Sequence, residues 1–246
     1  MANRNSEKGL TLIEMSVVLV IISLLIIGIF TGKDIYRHSQ VLSIVKDIEN
    51  ITNATDNFKE KYGYIAGDMP NAGDYWTAPT GGWTGDGDNI IDNNDERWEA
   101  WAQLSLADMI PGDFSAEGGT GGKATPNINV PSTKIDNGGY YLSNTAHNAA
   151  SDPFFGRAGN FILIGLDSGA SGNLLATPIL SPREAWDVDA KIDNGSPDSG
   201  NIFGIGLKAN GNGCVTNGWE DADAGGDYLV DSDEIACWLV YFPDAR

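Results

Sequence analysis

The sequence predicts an α+β protein in which one long amino-terminal helix packs on an antiparallel β-sheet head. Three observations support this prediction. An apolar run from Leu10 to Phe30 contains a single charged residue, Glu14. Apolar residues then recur at three- and four-residue steps as far as Tyr62, which is typical of an amphipathic helix. Beyond Gly63, short apolar runs alternate with Gly, Asn, Asp and Pro, which is typical of strands and turns.

The apolar run, residues 10–30, is long enough to cross a membrane, since about 20 apolar residues span the hydrocarbon core. A buried helix of a soluble protein is seldom apolar on every face. Arg4 and Lys8 precede the run, and positive flanks stay in the cytoplasm, so we expect the bulk of the chain outside it. The run is too long for a secretory signal peptide, and no small-residue cleavage site follows it.

The second half of the predicted helix, residues 31–63, is amphipathic and needs a sheet to lie against. A coiled coil would require a longer apolar stripe and a more regular charge pattern. Gly63 is expected to end the helix, because glycine readily adopts the left-handed capping conformation. The apolar face consists of Val41, Ile44, Val45, Ile48, Ile51, Phe58 and Tyr62.

Residues 64–246 are expected to form one extracytoplasmic head without a second domain. Residues 97–104 predict a helix with its tryptophans inward. A capping box at Ser181 and Glu184 predicts another helix, which closes near Gly195. Four apolar runs predict strands: 140–142, 161–164, 202–205 and 238–242.

The head is strongly acidic. The formal net charge of the chain is −19, and the whole deficit lies in residues 62–246. Such a surface repels nucleic acid and anionic lipid, so we expect no nucleic-acid partner for the head. Cys214 and Cys237 are the two cysteines, and in a compartment outside the cytoplasm they are expected to form a disulfide. Two cysteines without a nearby histidine do not make a zinc site.

An acidic stretch at residues 85–96 predicts a calcium site, because alternating carboxylates on a glycine turn can converge on one hard cation. The stretch differs from an EF-hand loop, with Asn89 at the usual glycine and Asp95 in place of the last glutamate. The alternative is a solvated turn that caps the following helix. The candidate ligands are Asp86, Asp88, the carbonyl of Ile90, Asp92, Asp95 and Glu96.

A second acidic cluster lies inside the predicted disulfide loop. Its spacing matches no calcium template well, so it is the weaker of the two candidate sites. Calcium is the expected ion for both, as one or two ions, because the ligands are hard oxygens without His or Cys nearby. The candidate ligands of this cluster are Asp221, Asp223, Asp227 and Asp231.

Residues 8–15, which read Lys-Gly-Leu-Thr-Leu-Ile-Glu-Met, resemble the prepilin cleavage motif of type IV pilins and type II secretion pseudopilins. The resemblance implies that a prepilin peptidase removes the leader, residues 1–9, by cutting between Gly9 and Leu10. It also implies methylation of the new amino terminus. Most members of the family have Phe where this chain has Leu10.

Glu14 becomes the fifth residue of the mature chain in this comparison. A carboxylate in an apolar segment is costly and requires a partner. The amine of Leu10 on an adjacent subunit could neutralise it, and the two charges are tolerable as a pair. The alternative is a Glu14 side chain that merely extends to the membrane interface.

The resemblance implies a structural subunit that starts as an inner-membrane precursor with a cytoplasmic amino terminus and then polymerises into a helical filament. Its partners would be copies of itself or related subunits, prepilin peptidase and the inner-membrane assembly machinery. A type IV pilin is the leading interpretation. The alternatives are a type II secretion pseudopilin and a membrane-anchored calcium-binding adhesin that does not polymerise. Calcium-bound loops also occur in major pseudopilins.

An enzyme is not expected. His38 and His147 belong to no recognisable triad, metal-binding motif or nucleotide-binding motif. Short-spaced aspartates in turns are better cation ligands than the separated acid and nucleophile of a glycosidase. The tryptophans could suggest carbohydrate binding, but four of them are predicted to face the core, which leaves Trp76 and Trp83 as candidate stacking residues. The four are Trp98, Trp101, Trp186 and Trp238.

Overall fold

The computed structural model describes residues 11–79, 82–91, 95–119, 122–145, 158–167, 169, 175, 177–206, 213–216 and 226–243. It confirms the α+β class. The elements, in chain order, are helix α1 (Leu12–Tyr62), a 3-10 turn (Ala72–Asp74), α2 (Glu96–Leu106), β1 (Gly138–Thr145), β2 (Gly159–Leu166), α3 (Pro182–Ile192), β3 (Ile202–Ile205) and β4 (Trp238–Tyr241).

The four strands form one antiparallel sheet in the order β1-β2-β4-β3. The last strand lies between two earlier ones, with Val240 opposite Leu163 on one side and Phe203 on the other. All four residues of β3 and of β4 are buried, so these short strands are apolar throughout instead of alternating. Each of the four runs predicted from the sequence forms one of these strands.

The second half of α1 belongs to the compact unit that begins at Val41 and contains the sheet. Five residues of the predicted apolar face are buried, namely Val41, Ile44, Ile48, Ile51 and Phe58. The other two, Val45 and Tyr62, are partly buried against the core, and Ala54 is buried in addition. The Tyr140 hydroxyl on β1 donates a 2.9 Å hydrogen bond to Asp47. The helix ends as predicted at Gly63, where φ is +81° and the N–H bonds the carbonyl of Lys59.

The first part of α1 belongs to a separate unit that ends at Gln40, and within it residues 12–29 form a stretch of mostly apolar side chains that are all exposed. Within the described residues, α1 is the one helix long and apolar enough to cross a membrane. The side chain of Leu12 is 89% exposed and that of Leu24 65%. The other exposed apolar side chains of this stretch are Ile13, Met15, Val17, Val18, Leu19, Val20, Ile21, Ile22, Leu25, Ile26, Ile27 and Ile29.

The two head helices form where the sequence places them. On α2, Trp98, Trp101 and Leu104 are buried against the core. On α3, the Ser181 side chain accepts a hydrogen bond from the Glu184 N–H, and the Glu184 carboxylate accepts one from the Ser181 N–H at 2.9 Å. The predicted capping box is therefore present and sets the start of the helix.

The position of Trp186 corrects one prediction. Trp186 is 37% exposed, whereas Trp98, Trp101 and Trp238 are buried as expected. The inward face of α3 consists of Ala185, Val188 and Asp189. Each helical residue is rotated by about 100° from the preceding one, so Trp186 is turned away from this face. Trp76 and Trp83 are partly buried against the core.

Cys214 and Cys237 are joined by the predicted disulfide, with a Cα–Cα distance of 4.9 Å. Both residues are buried, and Cys237 directly precedes β4. The bond closes a loop with a sequence separation of 23 residues and ties it to the central part of the sheet.

Replacement of both cysteines, Cys214→Ala with Cys237→Ala, should lower the free energy of unfolding by about 3 kcal/mol, because the unfolded chain regains the entropy of the open loop. Urea unfolding of the detergent-solubilised full chain measures this change. Reduction of the wild-type protein is the matched control and should give a similar loss. Equal stability of the variant and the oxidised wild type would contradict the expectation.

Candidate functional site

The predicted acidic loop, residues 84–91, lies against two other segments of the head. These are residues 67–69 and the first turns of α2. Gly67 has a φ of +97°, and a side chain there would collide with the carbonyl of Glu96. Its N–H donates a 2.8 Å hydrogen bond to the side-chain oxygen of the buried Gln103. Glycine at this position therefore lets the chain lie directly against α2.

Asp68 organises the acidic loop from the inside. Its side chain is fully buried, and one carboxylate oxygen accepts hydrogen bonds from the N–H groups of Gly87 (2.6 Å) and Asp86 (3.2 Å). The other oxygen accepts one from Asn89 at 2.6 Å. A side chain at Gly85 would collide with the backbone of residues 68 and 69, so glycine is needed for this close approach.

Both ends of the loop are fixed to other elements. At the start, the buried Glu99 of α2 accepts hydrogen bonds of 3.0 Å from the N–H and the hydroxyl of Thr84. At the end, the Ile91 N–H donates to the side chain of Asn160 on β2 at 3.0 Å. The Asn160 amide donates in turn to the carbonyl of Asn89 at 3.0 Å. The sheet and α2 therefore position the loop.

Asp68, Asp86 and Glu96 form the acidic group of this site, since one carboxylate oxygen of each lies within 4.8 Å of the others. Asp68 and Glu96 are buried and Asp86 is exposed, so the group has a solvent side. Calcium binds oxygen at about 2.3–2.6 Å, which places any two ligands of one ion within about 5 Å of each other. The three carboxylates fit this requirement.

The structure brings together two of the predicted ligands, Asp86 and Glu96. Asp88 instead accepts a 2.7 Å hydrogen bond from the Ile90 N–H within the loop, and it is not part of the group. Asp95 occupies the N-cap position of α2, also outside the group. Asp92 lies outside the described residues.

Sequence reasoning missed Asp68 as a candidate ligand. It lies 18 residues before Asp86, so no local spacing connects the two. The second predicted cluster is not assembled in the described part of the chain, where Asp227 and Asp231 are exposed and belong to no group of three acidic ligands. Asp221 and Asp223 lie outside the described residues.

Electrostatics add a reason for a cation at this place. Burial raises the pKa of Asp68, and the nearby Asp88 raises it further, while the N–H bonds from the loop oppose this shift. Burial also raises the pKa of Glu99, with Thr84 opposing the shift and Asp95 adding to it. A divalent cation bound by Asp68 would favour its ionised form and so offset the cost of burying that charge.

The amino-terminal end of α1 contains a local hydrogen-bond system. The Glu14 carboxylate accepts hydrogen bonds from the Thr11 N–H at 2.8 Å and from the Thr11 hydroxyl at 2.7 Å. The Glu14 N–H donates to the same hydroxyl at 3.3 Å. This is a capping box, and the Thr-x-x-Glu spacing ahead of the apolar run is its sequence signal. Gly9 and Leu10 lie outside the described residues.

The comparison with protein families concerns this end of the chain. Residues 4–30 match the family model described as the prokaryotic N-terminal methylation motif. The chain carries the methylation motif of type IV pilins and pseudopilins. The motif implies processing by prepilin peptidase and a role as a pilin-like or pseudopilin subunit, in a family whose members are typically non-enzymatic structural proteins.

The head of the chain lies outside the matched residues. Neither the curated proteins nor the solved structures contain a significant match to the chain.

A further buried carboxylate belongs to α3, the helix that also carries the exposed Trp186. Asp189 is fully buried and accepts hydrogen bonds of 2.8 Å from the Tyr228 hydroxyl and the Gly195 N–H. Burial raises the pKa of Asp189 to about 6; the Tyr228 and Gly195 bonds oppose this shift, and the nearby Asp193 adds to it.

The head should become more stable as the pH falls from 7.5 to 5.5. Asp189 titrates near 3.8 when unfolded and near 6 when folded, so between these values the folded state binds more protons than the unfolded state. Melting temperatures of the full chain in detergent with EDTA measure the effect. Asp189→Asn has no titrating group at this position and should show a weaker pH dependence. A wild-type melting temperature that falls over this interval would contradict the prediction.

Proposed function

We propose that the chain is a structural subunit of a type IV pilus-like filament, processed after Gly9 and assembled through α1. The apolar surface of residues 12–29, exposed on every side, is the observation that supports it. Such a helix requires a bilayer or copies of itself. Contacts of this helix that repeat head to tail without closing produce a fibre.

The proposed organisation follows from the motif. Residues 1–9 are a leader, residues 10–30 form the membrane and assembly segment, residues 31–63 complete the helix, and residues 64–246 form the head. The precursor lies in the inner membrane with its amino terminus in the cytoplasm. Its partners are prepilin peptidase, the assembly machinery and other copies or related subunits.

Glu14 is proposed to neutralise the amine of Leu10 on an adjacent subunit. Burying either charge alone in an apolar filament interior is costly, whereas the pair is tolerable. Before assembly, the hydrogen bonds from Thr11 satisfy part of the Glu14 carboxylate. Glu14 then has two separable functions, a helix cap and a counter-charge, which matched variants can distinguish.

Glu14→Gln keeps a capping oxygen and removes the charge, so filament yield should fall at least about tenfold. Thr11→Ala keeps the charge and removes the hydroxyl, at a cost of about 1 kcal/mol to the helix, and should still assemble. Electron microscopy and sedimentation of sheared filaments measure the yield. Mass spectrometry of the subunit should find a methylated Leu10 at the amino terminus.

Wild-type filament yield in Glu14→Gln would exclude the counter-charge role. Loss of assembly in Thr11→Ala would assign the requirement to the cap. The competing functions give different results: a pseudopilin variant loses protein secretion without long surface filaments, and a non-polymerising adhesin keeps Met1 and stays monomeric.

We also propose that Asp68, Asp86 and Glu96 bind one calcium ion in the head. The convergence of carboxylates from three segments supports this assignment. The ion would connect residue 68, the acidic loop and α2, and so stabilise the fold instead of taking part in a reaction. A second ion at Asp221, Asp223, Asp227 and Asp231 is not proposed, because the two that the structure describes, Asp227 and Asp231, belong to no group of three acidic ligands.

Calcium at about 100 times its dissociation constant should raise the melting temperature of the full chain by about 5–10 °C relative to EDTA. Asp68→Asn and Glu96→Gln should remove most of this shift, since each loses a ligand charge. The exposed Asp74→Asn is the matched control and should keep it. Equal melting temperatures with calcium and EDTA, or an equal shift in all variants, would contradict the site.

A further inference from the structure

The exposed Trp186 forms one wall of a cavity on the head. The cavity has a volume of about 260 Å³ and is lined by Arg183, Trp186, Gly195, Asp227, Tyr228 and Val230. Pockets for drug-sized ligands are usually about 300–1,000 Å³. This cavity therefore has room for a single ring-sized group, with an aromatic wall and charged groups of both signs.

The cavity is built on a rigid base. Two residues that line the cavity, Tyr228 and Gly195, are held by the buried Asp189. Its carboxylate accepts hydrogen bonds from the Tyr228 hydroxyl and from the Gly195 N–H. The Tyr228 ring lies over Gly204 of β3, where a side chain would collide with it. A side chain at Gly195, where φ is +75°, would come within 3.1 Å of the Trp186 indole nitrogen. Walls fixed before binding lower the entropy cost of holding a ligand.

The charged groups at the rim are also positioned. The Arg183 guanidinium lies 5.5 Å from the centre of the Trp186 ring, a cation–π distance. The backbone of Asp227 makes two hydrogen bonds with Thr216, and the preceding Gly226 N–H donates to the Asp198 carboxylate at 2.9 Å. The Asp227 side chain is exposed at the edge of the cavity.

We propose that this cavity binds one neutral pyranose ring of a glycan. A pyranose has an apolar C–H face, which suits an indole, and hydroxyl edges that donate and accept hydrogen bonds. The Asp227 carboxylate can accept hydrogen bonds from the hydroxyl groups of the sugar, and the Arg183 guanidinium can donate hydrogen bonds to them. Asp227 and the net charge of −19 disfavour acidic sugars. The head would then bind neutral sugars in addition to its proposed structural role in a filament.

The test uses the full chain in a zwitterionic detergent without a sugar headgroup. Saturation-transfer NMR with methyl glycosides of glucose, galactose, mannose and N-acetylglucosamine should detect binding of at least one of them, and titration should give its dissociation constant. The methyl glucuronide should bind more weakly. Trp186→Ala should weaken the binding at least about tenfold, because the aromatic wall is lost.

The second variant, Asp227→Asn, should also weaken sugar binding. It removes one charged group at the rim of the cavity and leaves the backbone hydrogen bonds to Thr216 in place. Tyr75→Ala removes an aromatic ring that is 54% exposed outside the cavity and should bind like the wild type. No bound pyranoside, retained affinity in Trp186→Ala, or equal loss in Tyr75→Ala overturns the proposal. If no sugar binds and the Trp186→Ala variant gives fewer filaments, the cavity is a contact between subunits instead.

Discussion

The apolar surface of residues 12–29 is the constraint on which the rest of the molecule depends. Burial of apolar surface is favourable by about 25 cal/mol per Å², and in the described part of the chain these side chains are left exposed. The head, by contrast, carries the whole charge deficit of the chain and requires water. The two halves of α1 therefore require different environments: apolar surroundings for the first, and the core of the head for the second.

The head uses buried carboxylates to order its loops. Asp68 binds three backbone N–H groups of the acidic loop, Glu99 binds Thr84, and Asp189 binds Tyr228 and Gly195. A backbone N–H left without a partner inside a protein is costly, and an ionised oxygen forms a strong hydrogen bond with it. The same burial raises the pKa of each of these acids, so the loops are ordered at the expense of stability at neutral pH.

The sequence predicts the elements that depend on local signals. The stripe on α1, the glycine stop at residue 63, the four strands and the Ser181 capping box each follow from spacing or a cap within a few residues. The role of Asp68 and the cavity at Trp186 cannot be predicted in this way, because both depend on contacts between segments far apart in the chain. The Thr11–Glu14 cap does have a local signal, since the Thr-x-x-Glu spacing precedes the apolar run, although a lone charge in such a run also favours a partner outside the helix.

Asp227 illustrates why acidic composition alone does not define a site. The sequence predicts it as a calcium ligand together with other carboxylates, yet the structure places it at the edge of a cavity that is also lined by Arg183, Trp186 and Tyr228. No local spacing connects Asp68 to another ligand, yet one of its carboxylate oxygens lies within 4.8 Å of a carboxylate oxygen of both Asp86 and Glu96. The neighbours that the fold supplies decide the chemistry of each acid: other carboxylates favour a metal ion, and an indole with a guanidinium favours a polyol.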